Sequence, residues 1–397
     1  MTVRIAYLVH DLGDPAVARR VRMLLDGGAS VSLAGFRRSA APPADVEGVK
    51  PIDLGQTRDA RLRARTGSVL RAALDLPRLR AALTGCQVVV ARQLEMLLLG
   101  AWGRKLFAPS ARLVYECVDV HRMLLGASIS HSVLRQIEAL LLRQCALLLV
   151  SSEAFVEHHF NRYPRLPPVQ LLENRVLASE LLDLAASRLP PGPPWRIGWF
   201  GNIRCARSLT MLAGLARTQP GRIEIVIRGR PAYAAIPHFD EVIRDAPGLI
   251  YGGPYDRRTE LATLYGDVHF AWAIDRYEVG GNSEWLLPNR MYEAAVHGCA
   301  ILAQRGTATA AWLAVRQAGV LLDEPVGTSL ASYFGALTQA DYRDAIGTLD
   351  PACLQYDFSD CCRLVASLAP PGTVTASFEP ADAHAALRSA VSTLIAE

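Results

Sequence analysis

A chain of 397 residues, 51% of them apolar and 20% charged, is long enough for two domains that each bury a core, and it lacks the composition of a disordered protein. No apolar run reaches the ~20 residues that a membrane-spanning helix needs, because the most apolar stretch, 137–150, is broken by Glu138, Arg143 and Gln144. The net charge of +4 is unevenly divided: residues 1–195 carry 25 Lys and Arg against 17 Asp and Glu, and residues 196–397 carry 17 against 21, giving +8 and −4.

The opening MTVRIAYLVHDLGD turns acidic after a short apolar run and has no small-residue cleavage site. It therefore reads as a first strand and not as a signal peptide, which points to the cytoplasm. VRIAYLVH is a buried strand, and PAVARRVRMLLDGG is a helix with Val17, Val21, Leu24 and Leu25 on one face, closed by Gly27 and Gly28. SVSLAGF is the next strand. Arg58, Arg61, Arg63, Arg65, Arg71, Arg78 and Arg80 form the densest basic run. A helix carrying them suits either solvent or the anionic inner face of a membrane. No aromatic residues interleave with these arginines, so nucleic acid is not an expected partner.

CQVVVA, RLVYECV and CALLLVSS are further strands, with helical patterns between them at 68–83, 94–107 and 131–144. Strands that alternate with helices build a parallel sheet covered on both faces. LPPGPPW, residues 189–195, has four prolines and a glycine in seven positions and continues neither a helix nor a central strand. It marks a linker between a domain of 1–188 and a domain of 196–380, with a terminal helix at 381–397 that packs back on the first domain. Beyond the linker the alternation restarts as WRIGWFGN, SLTMLAGLART, IEIVIRG, RTELATLYGD, VHFAWAI, MYEAAVHG and CAILAQ, a second parallel sheet. Eight cysteines without a C-x-x-C pair read as buried free thiols, and no metal site is predicted.

Neither G-x-G-x-x-G nor G-K-[ST] occurs, and no D-x-D supplies a metal-holding pair of carboxylates. A nucleotide diphosphate bound here has to be held by arginines, backbone amides and helix N-termini. GWFGNIRCARSL offers such a set: a strand ending at Phe200, a tight turn at Gly201 and Asn202, then Arg204 and Arg207 one helical turn apart before the helix SLTML.

GNIRCARSL, LYGDVHFAWAI, LLENRVL and LLPNRMYEAAVHGCAILA together resemble the GT-B glycosyltransferases of the broad family 4 type, bacterial enzymes of exopolysaccharide and lipopolysaccharide assembly. The resemblance covers most of the chain. It implies two doubly wound, Rossmann-like α/β domains facing each other across a cleft. It also implies transfer of a sugar from a nucleotide sugar, itself a substrate and not a cofactor, to a glycan or polyprenyl-linked acceptor. On the helix led by Asn289 and Arg290, Glu293 matches the glutamate that accepts hydrogen bonds from the donor ribose. Many relatives carry a second glutamate eight residues earlier, where this chain has Trp285; Glu284 or the GGNS of 280–283 takes that place.

Asp119 and His121, just past a strand end, are the catalytic candidates. Asp119 would serve as base if the enzyme inverts, and His121 would orient the sugar if it retains. His10, Gly13 and Asp14 after the first strand, with Arg92 or Glu95, are expected on the acceptor side. A nucleotide-sugar epimerase of the same architecture and a nonenzymatic nucleotide-sugar scaffold are the competing readings.

Overall fold

Apolar runs become parallel strands of two sheets in a computed structural model that describes residues 2–57, 74–181 and 189–373. Strands β1 (Arg4–Val9), β2 (Ser30–Arg37), β3 (Ile52–Gln56), β4 (Val88–Arg92), β5 (Arg112–Cys117), β6 (Leu147–Val150) and β7 (Val169–Leu171) lie in the order β3-β2-β1-β4-β5-β6-β7. After a short β8 (Val176–Leu177), the second sheet holds β9 (Trp195–Ile203), β10 (Ile223–Pro231), β11 (Leu249–Tyr251), β12 (Phe270–Trp272), β13 (Ala300–Gln304) and β14 (Val320–Leu322), in the order β11-β10-β9-β12-β13-β14. Counted from its own first strand, each sheet begins 3-2-1-4-5-6, the doubly wound order. The order reverses between β1 and β4 and again between β9 and β12, and at such a reversal the carboxyl ends of two neighbouring strands diverge and open a crevice.

Two compact units can be told apart. One comprises described residues 2–116, 144–147 and 356–373, and the other 117–143, 148–181 and 189–355. In the first, every residue of β4 is buried, as expected of a strand covered by helices on both faces. The Pro15–Asp26 helix starts where Asp14 accepts the Ala16 amide at 2.9 Å, with proline in its first turn, and it buries Val17, Val21 and Leu24. Each such side chain contributes about 1.5–3 kcal/mol on burial. Gly27 ends this helix against the Phe358–Leu368 helix, so close that a Cβ there would stand 2.8 Å from the Cys361 carbonyl carbon.

In the second unit, alternation along β9 sends Trp195, Ile197 and Trp199 into one core and Phe200 into the other. Trp195 meets Phe270 and Tyr342 with ring centroids 6.0 and 5.1 Å apart. The strand does not end at Phe200 as the sequence suggests. It runs to Ile203, because Gly201 and its neighbour Gly229 on β10 both take positive φ (106° and 137°), and with no side chains between them the ladder continues past the kink.

The predicted helices at 94–107 and 131–144 form as Leu94–Phe107 and Ile129–Leu142. Of the 68–83 pattern, Leu76–Leu83 is helical, while Arg58 to Arg71 and the expected terminal helix at 381–397 lie outside the described residues. All eight cysteines are free. Among the described residues no helix is long and apolar enough to cross a membrane.

Candidate functional site

At the β1/β4 reversal of the first unit the strand ends carry a buried charge cluster. Glu116 is the penultimate residue of β5, and its carboxylate accepts from Tyr7 Oη at 2.6 Å, Arg20 Nε at 2.8 Å and Arg92 Nη1 at 3.0 Å. Burial alone would raise the Glu116 pKa, but the Arg92 and Arg20 guanidiniums pull it down to about 2. Arg92 also reaches Asp14 Oδ2 at 3.7 Å. Asp14 is thus both the helix cap and a partner of this cluster. His10 stands 3.9 Å from the same carboxylate, burial lowers its pKa, and among the described residues its Nδ1 has no hydrogen-bond partner. The Gly13 amide donates to Asp11 Oδ1 at 3.0 Å, shaping the loop, and Glu95 lies in the first turn of the Leu94–Phe107 helix, where its charge acts on His10.

The second unit repeats this arrangement at the β9/β12 reversal. Arg204 follows β9, Asp275 follows β12, and Arg204 Nε and Nη2 donate to Asp275 Oδ2 at 3.3 and 3.0 Å. Asp275 spends Oδ1 on the Tyr277 amide at 2.9 Å, and the Arg204 guanidinium lies 4.9 Å from the Tyr277 ring centroid. Burial opposes the charge on Arg204, but Asp275, Asp119 and Glu278 together raise its pKa above the ordinary arginine value. The helix begins at Ala206 with Cys205 as its cap, two residues before the SLTML start that the sequence suggests, so Arg204 precedes the helix and the exposed Arg207 sits in its first turn. Asn202 is exposed near the end of β9.

His121 caps the Arg122–Leu124 turn, its Nδ1 accepting from the Met123 amide at 3.2 Å. Glu284 accepts the Gly280 amide at 2.9 Å. The Trp285 ring stacks on His158 with centroids 5.3 Å apart. On the Asn289–Val296 helix, Asn289 Oδ1 is buried without a hydrogen-bond partner among the described residues, and Arg290 acts electrostatically on Tyr255 and Tyr265. Glu293 is 4% exposed and accepts from Arg257 Nε at 2.9 Å and Tyr265 Oη at 3.3 Å; Arg257 also reaches Glu180 at 3.1 Å. Among the described residues no cluster of His, Cys, Asp and Glu has the arrangement of a metal site.

Over 376 residues the chain is 44% identical to the succinoglycan biosynthesis protein ExoL of Rhizobium meliloti (strain 1021), covering 92% of this chain and 93% of that protein. The chain belongs to the ExoL family. No protein-family model matches it. Its fold is GT-B. Anabaena HepE, solved in complex with UDP and glucose, superposes with a TM-score of 0.65 at 12% identity, covering 92% of this chain and 98% of that one. The UDP-GlcNAc 2-epimerase of Neisseria meningitidis, solved bound to UDP-GlcNAc, gives 0.58 at 10% identity over 92% and 98%. Glycosyltransferases and epimerases share this architecture, so the fold alone does not choose between them.

Within this GT-B chain the sequence-derived residues fall into four groups. His10, Gly13, Asp14 and Glu95 gather at the end of β1. Asp119 and His121 flank Val120 just past β5, while Gly201, Asn202, Arg204 and Arg207 line the end of β9 and the helix start after it, and Glu284, Asn289, Arg290 and Glu293 lie on the two short helices Asn282–Trp285 and Asn289–Val296. Asp275, Tyr277, Arg257 and the Tyr7–Arg20–Glu116 cluster escaped sequence reasoning. Only Asp275 had a local signal, as the first acid after the strand VHFAWAI.

Glu116→Gln removes the negative charge from between two buried guanidiniums and is expected to cost about 3–5 kcal/mol at pH 7. Because the folded pKa of Glu116, about 2, lies below its ordinary value of 4.5, its contribution is complete above pH 4.5 and is lost as pH falls toward 2. Urea midpoints measured from pH 7 down to pH 2 check both points: the wild type loses stability through that window, and the variant loses measurably less.

Proposed function

We propose that this chain is a glycosyltransferase that moves a sugar from a nucleotide diphosphate to a glycan or polyprenyl-linked glycan during exopolysaccharide assembly. The observation that carries the reading is the near full-length relationship to a protein named for succinoglycan biosynthesis, on a chain whose second sheet ends in a fixed arginine. In the transfer, the bond between the anomeric carbon and the diphosphate oxygen breaks and its electron pair leaves with the diphosphate. The acceptor oxygen bonds the anomeric carbon, and its proton passes to a departing phosphate oxygen, the retaining course that the family 4 resemblance implies.

Arg204 supplies positive charge where the leaving group gathers negative charge. Two of its N–H groups are held by Asp275, and the side chain remains 32% exposed. Arg207 and the amides at the start of the Asn289–Val296 helix add donors of the same kind. Glu293, fixed by Arg257 and Tyr265, accepts from the ribose hydroxyls.

A thermal-shift panel of UDP, GDP, ADP and CMP sugars tests the reading, since a ligand at 100 times its Kd stabilises by about 2.7 kcal/mol. One nucleotide class is expected to raise the melting temperature and to support sugar transfer. Arg204→Ala then lowers kcat about 100-fold with a smaller rise in KM, and Glu293→Ala weakens nucleotide binding by about 1.5–3 kcal/mol. Conversion of the donor to its epimer without an acceptor would contradict transfer, and absence of any nucleotide binding would contradict both enzymatic readings.

The acceptor side of the proposal includes contact with an anionic membrane through the basic first half. Arg78 is half-exposed on the Leu76–Leu83 helix beside the exposed Leu76. Co-sedimentation with phosphatidylglycerol vesicles at low salt, fading as salt rises, is the expected outcome. Equal and negligible binding to neutral and anionic vesicles would limit the enzyme to a soluble acceptor.

A further inference from the structure

One side chain grips the backbone of Val120. Asn282, 5% exposed, accepts the Val120 N–H through Oδ1 at 2.8 Å and donates from Nδ2 to the Val120 carbonyl at 2.8 Å. Its remaining Nδ2 hydrogen goes to Glu278 Oε2 at 2.8 Å, so both N–H groups of the amide are spent. The pairing is what a neighbouring strand would offer, given instead by a single amide 162 positions away in sequence.

The loop that carries Asn282 is braced around it. Ser283 Oγ accepts the Glu278 amide at 2.8 Å, and Glu284 accepts the Gly280 amide at 2.9 Å. Gly281 lies so near the Arg122–Leu124 turn that a Cβ there would stand 3.0 Å from Leu125. These bonds occupy the polar side chains of the GGNS stretch that sequence reasoning offered to the donor sugar. Val120 sits between Asp119, whose charge acts on Arg204, and His121, which caps the following turn.

We propose that Asn282 is a positioning residue for sugar transfer, holding Val120 so that its chain neighbours Asp119 and His121 keep their places. The proposal rests on the glycosyl-transfer reading above. Its chemistry is specific to an amide, because only a group with a donor and an acceptor side by side matches both polar atoms of one residue's backbone. Aspartate at 282 keeps the shape but sets a second acceptor against the Val120 carbonyl and the Glu278 carboxylate.

Full-length wild type, Asn282→Ala and Asn282→Asp are compared by hydrogen exchange at the Val120 amide, by UDP affinity, and by kcat and KM with the sugar nucleotide that the panel selects. In both variants Val120 is expected to exchange about tenfold faster or more. UDP affinity and donor KM should stay within about threefold while kcat falls about 10- to 100-fold, the loss that misplacing a reacting group produces. Asn282→Asp, the same size as the native residue, carries the test if Asn282→Ala does not fold. A kcat within about threefold of wild type, or a kcat loss matched by an equal loss of UDP affinity, overturns the proposal. Unchanged Val120 exchange in both variants refutes the clasp alone, whereas a wild type that transfers no sugar from any nucleotide refutes the reading on which it rests.

Discussion

Reversal of strand order is the constraint from which the rest follows. At the carboxyl ends of β9 and β12 the chain leaves the sheet toward opposite sides, and the first residues beyond each strand are left facing one crevice. Here those residues are Arg204 and Asp275, and their ion pair fixes the cation at the sheet's carboxyl edge. An arginine held this way loses little side-chain freedom on binding, which is the advantage of preorganisation. At the corresponding point of the first sheet stand Asp14, in the loop after β1, and Arg92, the last residue of β4, 3.7 Å apart. The doubled topology has placed an acid and an arginine at both reversals.

Buried carboxylates in the two units obey one rule. Glu116 is held by Tyr7, Arg20 and Arg92, and Glu293 by Tyr265 and Arg257. A phenol and a guanidinium together satisfy the hydrogen-bonding needs of a buried carboxylate. Around Glu116 the arginines are nearly closed off, so the cluster acts as internal scaffolding. Around Glu293 the arginine is one-fifth exposed and continues to Glu180, leaving this group nearer the surface on which a ligand would bind.

Much of the architecture was legible in the sequence because parallel strands buried on both faces are continuous apolar runs. VRIAYLVH, CQVVVA and IEIVIRG could hardly be anything else. The later elements were harder to read: ATAAWLAV in the Ala308–Val315 helix is apolar on every side and gives no helical period. Within the candidate site, Glu293 and Arg204 were legible from local pattern, as was Asp14 from the proline that follows it. The pairing of Arg257 with Glu293, 36 positions away, and that of Asn282 with Val120, 162 positions away, were not, since long-range pairing leaves no trace in local spacing. The extension of β9 past Gly201 depended on a glycine in another strand, Gly229, and no reading of GWFGNIR alone reveals it.

The most direct test of the account is a structure of the chain with the sugar nucleotide that it transfers. The account predicts the diphosphate within hydrogen-bond distance of Arg204 at the carboxyl ends of β9 and β12, with the ribose on the Glu293 side of the same sheet. A nucleotide seated instead at the ends of β1 and β4, among His10, Asp14 and Arg92, would contradict it.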